Sequence, residues 1–356
     1  MKMDIKTLGI LGGGQLGRMS AMAAARLGIR VHIYAPEENS PAFDVAHAYS
    51  CAPYDNLAAL EAFASSVDFL SYEFENIPIE TIRHLVTFKT VAPDERLLSI
   101  AQNRLAEKSF LNEIGIETAP WAPVTAPEQI DTIVSEWQAD AIILKTTRFG
   151  YDGKGQLKHK AGDKSSDSWT KLGTNELIAE GIVDFDFEIS VIVARDIFGG
   201  TAIYPAVLNE HKNHILDKTI APAPISKELQ ELAQGYASKL ADAVGLVGVL
   251  ALELFVTKDG KVLANEIAPR THNSGHWTID ACAVSQFENH VRAVCGLPVG
   301  DPTPHTPAVM INLIGDDVLK VPDYLKMSNA CVHLYGKDEA KAGRKMGHVT
   351  LLGATE

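Results

Sequence analysis

The stretch GVLALELFVTKDGKVLANEIAPRTHNSGHW, residues 248–277, contains two apolar, β-branched runs on either side of the turn sequence KDGK at 258–261. This pattern predicts an antiparallel hairpin whose two loop residues are the central Asp-Gly dipeptide. In that register Glu253 lies directly across from Glu266 on the same sheet face. Like charges so opposed are destabilising, whereas a divalent cation bound to both carboxylates would remove the conflict. The alternative is a solvent-facing pair softened by water.

The composition is that of a globular protein with two or three domains, since the 356 residues are 46% hydrophobic and 22% charged. A net charge of −13 argues against nucleic acid or an anionic membrane as a partner. The longest apolar run, 244–256, is too short to span a bilayer, and the N-terminus lacks the pattern of a secretory signal. We therefore expect a cytoplasmic protein. Its four scattered cysteines are expected to be buried thiols.

The N-terminal residues predict a βαβ unit, with strands at 7–11 and 30–34 and a helix at 18–27 that ends at Gly28. Between them, the spacing Gly12-x-Gly14-x-x-Gly17 matches the fingerprint of dinucleotide-binding proteins. The acidic residue that should close the second strand is replaced by Ala-Pro. We therefore interpret the glycine loop as a phosphate or substrate contact, with an NAD-dependent dehydrogenase as the alternative.

A further strand is predicted at 67–71, and acidic residues follow it directly. Glu73 and Glu75 lie in the sequence YEFEN, just past the carboxyl end of that strand. Ligands of α/β sheets bind at this edge. The two glutamates are therefore candidate site residues, although solvated loop charges are an equal alternative.

A second unit begins with a predicted strand at 141–145 and the loop TTRFGYDGKGQ at 146–156. Three glycines around Lys154 form a flexible loop whose amides can cradle phosphates, and Lys145 at the strand end favours a nucleotide. The loop is not a Walker A motif, and a mobile hairpin is the alternative. Strands at 177–183 and 187–194 follow, with Glu188 placed to accept a ribose hydroxyl. An amphipathic helix at 226–244 then leads into the hairpin.

Polar residues are dense beyond the hairpin, where Arg270 suits a phosphate or carboxylate. His272 and His276 are scaffolding or proton carriers, and no His/Cys spacing indicates zinc. Strands are predicted at 309–314, 330–334 and 349–352. Between the last two, Arg344 and Lys345 form a small basic hairpin that could reach a phosphate, unless it is an ordinary solvated turn.

Taken together, these stretches resemble the ATP-grasp superfamily, and within it the N5-carboxyaminoimidazole ribonucleotide synthetases of bacterial and fungal purine biosynthesis. The resemblance rests on seven motifs that occur in order along the whole chain: GGGQLGRM at 12–19, YEFENI at 72–77, QNR at 102–104, FGYDGKGQ at 149–156, IAPAP at 220–224, NEIAPRTHNSGHW at 265–277 and GRKMGH at 343–348.

The resemblance implies an α/β (α+β) ATP-grasp fold in three domains. These are a Rossmann-like domain at 1–103, an ATP-grasp domain at 104–300 with a lid at roughly 123–190, and a small β-rich domain at 301–356. The implied reaction joins bicarbonate to the exocyclic amine of 5-aminoimidazole ribonucleotide through carboxyphosphate, and it consumes ATP with Mg²⁺. A homodimer is expected. Rival interpretations are formate-dependent glycinamide ribonucleotide transformylase, biotin carboxylase or an inactive nucleotide-binding module.

The resemblance also assigns roles to individual residues. The implied ATP contacts are Arg104, Lys145, Gly150, Tyr151, Asp152, Gly153, Lys154, Gly155, Gln156, Glu180, Gly181, Ile182, Val183, Glu188, His211, Asn265 and Glu266. The implied ligands of magnesium are Glu253 and Glu266. The implied contacts of the ribonucleotide are Gln15, Leu16, Glu73, Arg270, His272, Asn273, Ser274, Arg344 and Lys345. The implied catalytic residues are Tyr151, Asp152, Glu73 and Lys145, with Asp152 a candidate acceptor of the amine proton.

The sequence departs from the family pattern in two places. Lys341-Ala342 stand before GRKMGH, where relatives often have Arg-Pro, and this weakens the phosphate assignment there. The chain also ends at Glu356, where relatives usually continue with a further helix.

Overall fold

The computed structural model describes residues 5–150 and 153–356. Tyr151 and Asp152, which the resemblance assigns to the site, lie outside the described residues. None of the helices in these two ranges combines the length and apolar character that a membrane span requires.

The N-terminal part is a parallel four-stranded sheet in the order β3-β2-β1-β4, with helices between its strands. The strands are β1 (Thr7–Leu11), β2 (Arg30–Ala35), β3 (Ala48–Cys51) and β4 (Phe69–Tyr72), and a 3₁₀ turn spans Phe43–Val45. The helices are α1 (Gln15–Arg26), α2 (Leu57–Ser65), α3 (Ile79–Val86), α4 (Glu95–Ala101) and α5 (Arg104–Glu113). The predicted βαβ unit is confirmed.

Helix α1 begins three residues earlier than the sequence predicts, because Gly14 is its N-cap. The glycine loop is therefore only Gly12–Gly14, and Gly17 lies in the first turn of the helix. Gly28, just past the end of the helix, has a positive φ of 71°, as expected for a glycine that terminates a helix.

The middle of the chain forms a separate antiparallel sheet in the order β5-β8-β6-β7. Its elements are β5 (Trp121–Val124), α6 (Glu128–Glu136), β6 (Ala141–Thr146), β7 (Gln156–Lys160), α7 (Ser165–Leu172) and β8 (Leu177–Gly181). It has its own small core around Ile130, Ile142 and Leu144. The glycine loop that precedes β7 connects two paired strands, β6 and β7, at their open end.

The remaining strands build one nine-stranded sheet in the order β14-β13-β9-β11-β12-β15-β17-β16, with β10 paired to β9. Its strands are β9 (Phe185–Arg195), β10 (Thr201–Ile203), β11 (Val207–Lys212), β12 (Ile215–Ala221), β13 (Gly248–Thr257), β14 (Val262–Ala268), β15 (Ala308–Ile314), β16 (Ala330–Leu334) and β17 (Lys345–Leu352). Its helices are α8 (Lys227–Ala243), α9 (Thr278–Ala281), α10 (Gln286–Val294) and α11 (Val321–Tyr324), with 3₁₀ turns at Asn273–Gly275 and Gly315–Lys320. Because β15 pairs with β12, the C-terminal strands extend this sheet rather than forming their own.

The two faces of the central strands have different environments, because side chains alternate along a strand. On one face Ile189, Val191 and Leu252 pack against the alanine-rich side of α8. Ser226 caps that helix by accepting a hydrogen bond from the amide of Leu229, as the predicted helix start requires. The opposite face carries the polar side chains of the candidate site.

The predicted pairing of Glu253 with Glu266 is confirmed, although the turn differs from the prediction. Thr257 closes the loop against Lys261, which leaves three loop residues instead of two. Three residues are the length expected when a glycine at positive φ, here Gly260 at 81°, ends the turn. The longer loop would move Glu253 out of register by one residue, and a β-bulge between Glu253 and Leu254 restores it.

Two smaller predictions need correction. Residues from Lys345 onward belong to strand β17, so the predicted basic hairpin is mainly the start of that strand, with only Arg344 in the turn before it. All four cysteines are described and each is free, but only two are buried thiols as predicted. Cys51 is exposed and Cys331 is partly exposed.

Candidate active site

The two opposed glutamates each have a basic side chain as partner. The carboxylate of Glu253 lies 2.9 Å from Nε2 of His272, and that of Glu266 lies 3.4 Å from the guanidinium of Arg104. The Glu253 side chain is 15% exposed and the Glu266 side chain 41% exposed. Burial alone would raise the pKa of Glu253, but His272 and His211 hold it below its usual value. Glu253 is therefore a carboxylate near neutral pH.

A buried cluster of lysines and a glutamate lies on one side of this pair. Lys145 at the end of β6 donates to Glu180 of β8 at 2.9 Å, and Lys108 of α5 lies 3.6 Å from the same carboxylate. Lys108 also donates to the carbonyl of Asn265 at 2.7 Å. Although burial would raise the pKa of Glu180, the two lysines keep it below its usual value. Its second oxygen, Oε1, has no hydrogen-bond partner among the described residues.

The glycine loop that connects β6 to β7 lies next to this cluster. Arg104 reaches the carbonyl of Gly150 at 3.5 Å, and Gln156 pairs with Lys145 across β6 and β7. Gly153 and Gly155 both have positive φ, which only glycine adopts readily. Gly150 and Gly155 lie close to Thr146, the residue after Lys145, and Gly153 lies close to His214.

Other residues that the resemblance assigns to ATP surround the same region. Glu188 of β9 lies 3.4 Å from Nδ1 of His211 on β11. Gly181 ends strand β8, with Ile182 and Val183 directly after it, and the Ile182 side chain is 46% exposed. Glu188, His211 and Asn265 lie on β9, β11 and β14 of the nine-stranded sheet, whereas Gly181 lies at the end of β8 in the smaller sheet.

The N-terminal glycine loop holds a carboxylate of the protein itself. Glu73, which follows β4, accepts hydrogen bonds from the amides of Gly14 at 2.7 Å and Gly17 at 2.9 Å. These amides are the anion site that the fingerprint predicts. Burial raises the pKa of Glu73, and the two amides partly offset this rise. Gln15 and Leu16, assigned to the ribonucleotide, lie between these two glycines.

Arg270 forms an ion pair with Glu75, the second glutamate of YEFEN. Burial would raise the pKa of Glu75, but Arg270 lowers it to about 2. Glu75 is therefore a structural partner of Arg270 and not a solvated loop charge. The solvated-loop alternative for the YEFEN glutamates is therefore wrong, and their role in the site stays a prediction.

The segment after β14 folds back beneath the glutamates. Ser274 is fully buried and its hydroxyl lies 2.8 Å from Nδ1 of His272. The side-chain amide of Asn273 is buried, and neither its oxygen nor its nitrogen has a partner among the described residues. A buried amide of this kind is costly unless a ligand or water satisfies it.

A group of three cations from the C-terminal strands approaches from the other side. Lys337 donates to the carbonyl of Lys345 at 2.7 Å. Burial, together with the neighbouring charges of Arg344 and Lys345, lowers the pKa of Lys337 to about 8 against the opposing effect of Glu73. Arg344 donates to the carbonyl of Glu339 at 2.9 Å. Clustered cations with a depressed pKa favour binding of an anion.

A small cavity of about 40 Å³ lies between the Arg104–Glu266 pair and Glu75, the partner of Arg270. It is lined by Glu75, Arg104, Glu107, Gly150 and Glu266, among others. Burial raises the pKa of Glu107 to about 8. The cavity places Glu75 and Glu266 around one space, so the two halves of the site are contiguous.

Sequence reasoning missed two cations of the site. Lys108 lies four residues after Arg104 on α5, and this spacing places both side chains on one face of a helix. That signal was available in the sequence. Lys337 lies in the turn between β16 and β17, and only the tertiary fold brings it near Glu73.

The donor set around Glu253 and Glu266 fits a magnesium ion. Two carboxylates on paired strands offer hard oxygen ligands, which Mg²⁺ prefers, and they face a space that a nucleotide could share. Elsewhere in the described ranges, Asp280, His333 and His348 approach one another closely. The rings of His333 and His348 stack with 14° between their planes, so their in-plane lone pairs do not converge on one ion.

Three family models match the chain along its length. They describe a ribonucleotide synthetase preATP-grasp domain at residues 5–102, an ATP-grasp domain at residues 109–287, and a phosphoribosylaminoimidazole carboxylase C-terminal domain at residues 308–356.

Individual relatives agree with these models. The N5-carboxyaminoimidazole ribonucleotide synthase of Brucella melitensis is 49% identical, covering 97% of this chain and 95% of that protein. A crystal structure of an N5-carboxyaminoimidazole ribonucleotide synthetase in complex with ADP has a TM-score of 0.94 at 42% identity, covering 98% of this chain and 93% of the other. The Aspergillus clavatus enzyme in complex with ADP and 5-aminoimidazole ribonucleotide has a TM-score of 0.90 at 30% identity, covering 99% and 94%.

The sheet order, the paired glutamates and the matched models define an ATP-binding ligase of the ATP-grasp class. Within that class, the chain belongs to the N5-carboxyaminoimidazole ribonucleotide synthase family. The resemblance drawn from the seven sequence motifs is confirmed. The dehydrogenase alternative is wrong, because the Glu73 carboxylate occupies the amides of the N-terminal glycine loop, where a dinucleotide phosphate would bind.

Proposed function

We infer that this protein catalyses the ATP-dependent carboxylation of 5-aminoimidazole ribonucleotide in purine biosynthesis, as its family does. The observation that carries the inference is the pairing of Glu253 with Glu266 across β13 and β14, with two groups of cations nearby. One group consists of Arg104, which pairs with Glu266, and of Lys108 and Lys145. The other consists of Lys345, whose charge acts on the same His211 as that of Glu253, and of its neighbours Lys337 and Arg344. Two phosphorylated substrates can therefore meet at the glutamate pair.

The nucleotide is assigned to the side with Lys145. In this assignment Lys145 and the amides of the loop 150–156 contact the phosphates, and Glu188 accepts from a ribose hydroxyl. The unpartnered Oε1 of Glu180 is available to an amino group of the base. Mg²⁺ held by Glu253 and Glu266 would neutralise charge on the phosphates during transfer.

The ribonucleotide is assigned to the other side. Its phosphate is expected to bind Lys337, Arg344 and Lys345, because a dianion offsets the burial and the like charges that lower the pKa of Lys337. Gln15, Leu16 and the unpartnered amide of Asn273 lie within the segments that would contact the rest of the ligand. Arg270, which forms an ion pair with Glu75, stays assigned to the ribonucleotide.

The chemistry requires that bicarbonate first be activated. A bicarbonate oxygen attacks the γ-phosphorus and ADP leaves, which gives carboxyphosphate. The exocyclic amine then forms its bond to the carbon, phosphate leaves with the electrons of the broken C–O bond, and the amine gives up a proton. Carboxyphosphate reacts rapidly with water, so the site must exclude water. We assign this closing role to the β5–β8 sheet, within a lid of roughly residues 123–190.

The proposed division of the chain is 1–103, 104–300 and 301–356. A homodimer and a cytoplasmic location complete the proposal, and both are drawn from the family rather than from the contacts described above. Size-exclusion chromatography with light scattering tests the dimer.

Substrate dependence tests the function directly. With MgATP, we expect the purified protein to release inorganic phosphate only when 5-aminoimidazole ribonucleotide and bicarbonate are both present, because the amine must capture the activated carboxyl group. A coupled phosphate assay measures this. Equal stimulation by formate with glycinamide ribonucleotide would contradict the proposal and favour the transformylase alternative.

Affinity for the ribonucleotide should fall with rising pH. Lys337 has its pKa lowered from 10.5 to about 8, so its charge is present below that value and is lost above it. A single group of that pKa predicts a dissociation constant about eightfold larger at pH 9 than at pH 7.5. Titration calorimetry with ADP present measures it. The Lys337→Arg variant keeps its charge throughout this range and should show a flat profile, whereas an equal rise in both proteins would exclude Lys337 as the cause.

A further inference from the structure

A continuous line of buried polar side chains ends on the Glu253 carboxylate. It crosses strands β12, β11 and β9 and then enters the segment after β14. Its members, in order, are Thr219, Asn209, Ser190, Ser274, His272 and Glu253. Thr219, Ser190 and Ser274 are almost completely buried, so water does not compete for these hydrogen bonds.

The hydrogen bonds at the far end of the line have a fixed direction. The hydroxyl of Thr219 donates to Oδ1 of Asn209 at 3.1 Å, and Nδ2 of Asn209 donates to the Ser190 oxygen at 2.8 Å. Ser190 thus accepts a hydrogen bond from the amide, and its oxygen lies 2.7 Å from that of Ser274. Among the described residues, the Ser274 oxygen is the one acceptor within reach of the Ser190 hydroxyl proton, so Ser190 donates to Ser274.

The same direction continues to the histidine. Ser274, having accepted from Ser190, donates to Nδ1 of His272 at 2.8 Å. The backbone amide of Ser274 also points at Nδ1, at 3.4 Å, which independently requires Nδ1 to be an acceptor. A neutral imidazole that accepts at Nδ1 carries its proton on Nε2, and Nε2 faces the Glu253 carboxylate at 2.9 Å.

We propose that Asn209, Ser190 and Ser274 are positioning residues that hold His272 in its Nε2–H tautomer. In this form His272 donates to one oxygen of Glu253 and leaves the other oxygen for the cation. The inference rests on the proposed function in that Glu253 is taken as a magnesium ligand. Second partners of this kind orient ligands and tune metal affinity.

The decisive test is a substitution at Asn209 that reverses donor and acceptor in each hydrogen bond from Asn209 to His272. Asn209→Asp keeps the shape of the side chain but replaces the donating NH₂ group with an acceptor once the carboxyl is ionised. Ser190 must then donate to that carboxylate, Ser274 must donate to Ser190, and Nδ1 of His272 must supply a proton to Ser274. Long-range ¹H–¹⁵N correlation spectra of ¹⁵N-histidine-labelled protein at a pH of about 9 report the change. His272→Gln identifies the signal.

We expect Nδ1 of His272 to be unprotonated in the wild type and protonated in Asn209→Asp. The dissociation constant for Mn²⁺, measured by electron paramagnetic resonance, should rise about tenfold or more in the variant. The KM for 5-aminoimidazole ribonucleotide should change much less. Asn312→Asp is the matched control, because Asn312 is equally buried but donates to the carbonyl of Leu216, outside the line. It should leave the His272 signals unchanged.

A double variant separates this role from simple destabilisation. Ser190→Ala removes the hydroxyl that connects Asn209 to Ser274, and Ser274 can then donate to His272. The double variant Asn209→Asp/Ser190→Ala should therefore regain the wild-type tautomer and Mn²⁺ affinity. A merely structural role predicts that the double variant is the worst of the set. An unprotonated Nδ1 in Asn209→Asp, or no recovery in the double variant, overturns the proposal. Failure of the wild type to bind Mn²⁺ would instead overturn the magnesium assignment, which the tautomer measurement does not depend on.

Discussion

Replacing Glu266 with alanine is expected to lower kcat by about 10³-fold, equivalent to about 4 kcal/mol of transition-state stabilisation, while the fold stays intact. Glu266 lies opposite Glu253, and among the described residues it forms an ion pair with Arg104 alone, at 3.4 Å. The side chain is 41% exposed, so its removal leaves no large cavity. The main loss is a carboxylate oxygen at the point where the nucleotide phosphates and the ion would meet.

Two further variants make the result specific. Glu266→Gln keeps the size but not the charge, and it should be nearly as inactive as the alanine variant. Glu210→Ala is the matched control, since Glu210 is also a half-exposed strand glutamate, paired with Lys218 at 3.0 Å. It should retain normal turnover. Steady-state kinetics, Mn²⁺ binding and melting temperature measure these effects, and near-normal turnover of Glu266→Ala would contradict the metal assignment.

The hairpin illustrates what the sequence could predict and why. The alternation of apolar residues fixed the face on which both glutamates lie, and their pairing is confirmed. The predicted two-residue loop was wrong, and the bulge after Glu253 compensated for it. The register of β13 with β9 is continuous through Glu253 and Leu254, so the extra residue of the bulge, Asn265, lies on β14. On its other side β14 contacts the segment at 117–118, and local sequence carries little information about such a contact.

Contacts between segments that are far apart in the sequence were the second feature that the sequence could not predict. A glycine fingerprint predicts an anion at the amides of Gly14 and Gly17, but it does not say which anion. Glu73 comes from a strand that is adjacent only in the folded sheet. Lys337 likewise reaches the site only because β16 and β17 extend the central sheet past β15. Residues within one element were predictable, whereas partners across the sheet required the structure.

The largest expected effect on stability concerns the N-terminal glycine loop that binds Glu73. Gly12→Ala should destabilise the protein by about 3 kcal/mol or more, because two separate costs add. Gly12 has a φ of 101°, a conformation that an alanine adopts at a cost of about 1–2 kcal/mol. A Cβ there would also lie 2.3 Å from Cγ of Glu73, closer than real Cβ atoms approach a neighbour. Glu73 would have to leave the amides of Gly14 and Gly17.

Gly28→Ala separates the two costs. Gly28 also has a positive φ, of 71°, but a Cβ built there meets no described atom within 4 Å. This variant should lose only about 1 kcal/mol and keep normal turnover. Gly12→Ala should melt at a clearly lower temperature and, where still folded, show a raised KM for the ribonucleotide, because the displaced Glu73 no longer orders Gln15 and Leu16. Equal melting temperatures for the two variants would mean that the loop tolerates the clash, and that its tight fit around Glu73 does not hold this part of the site in place.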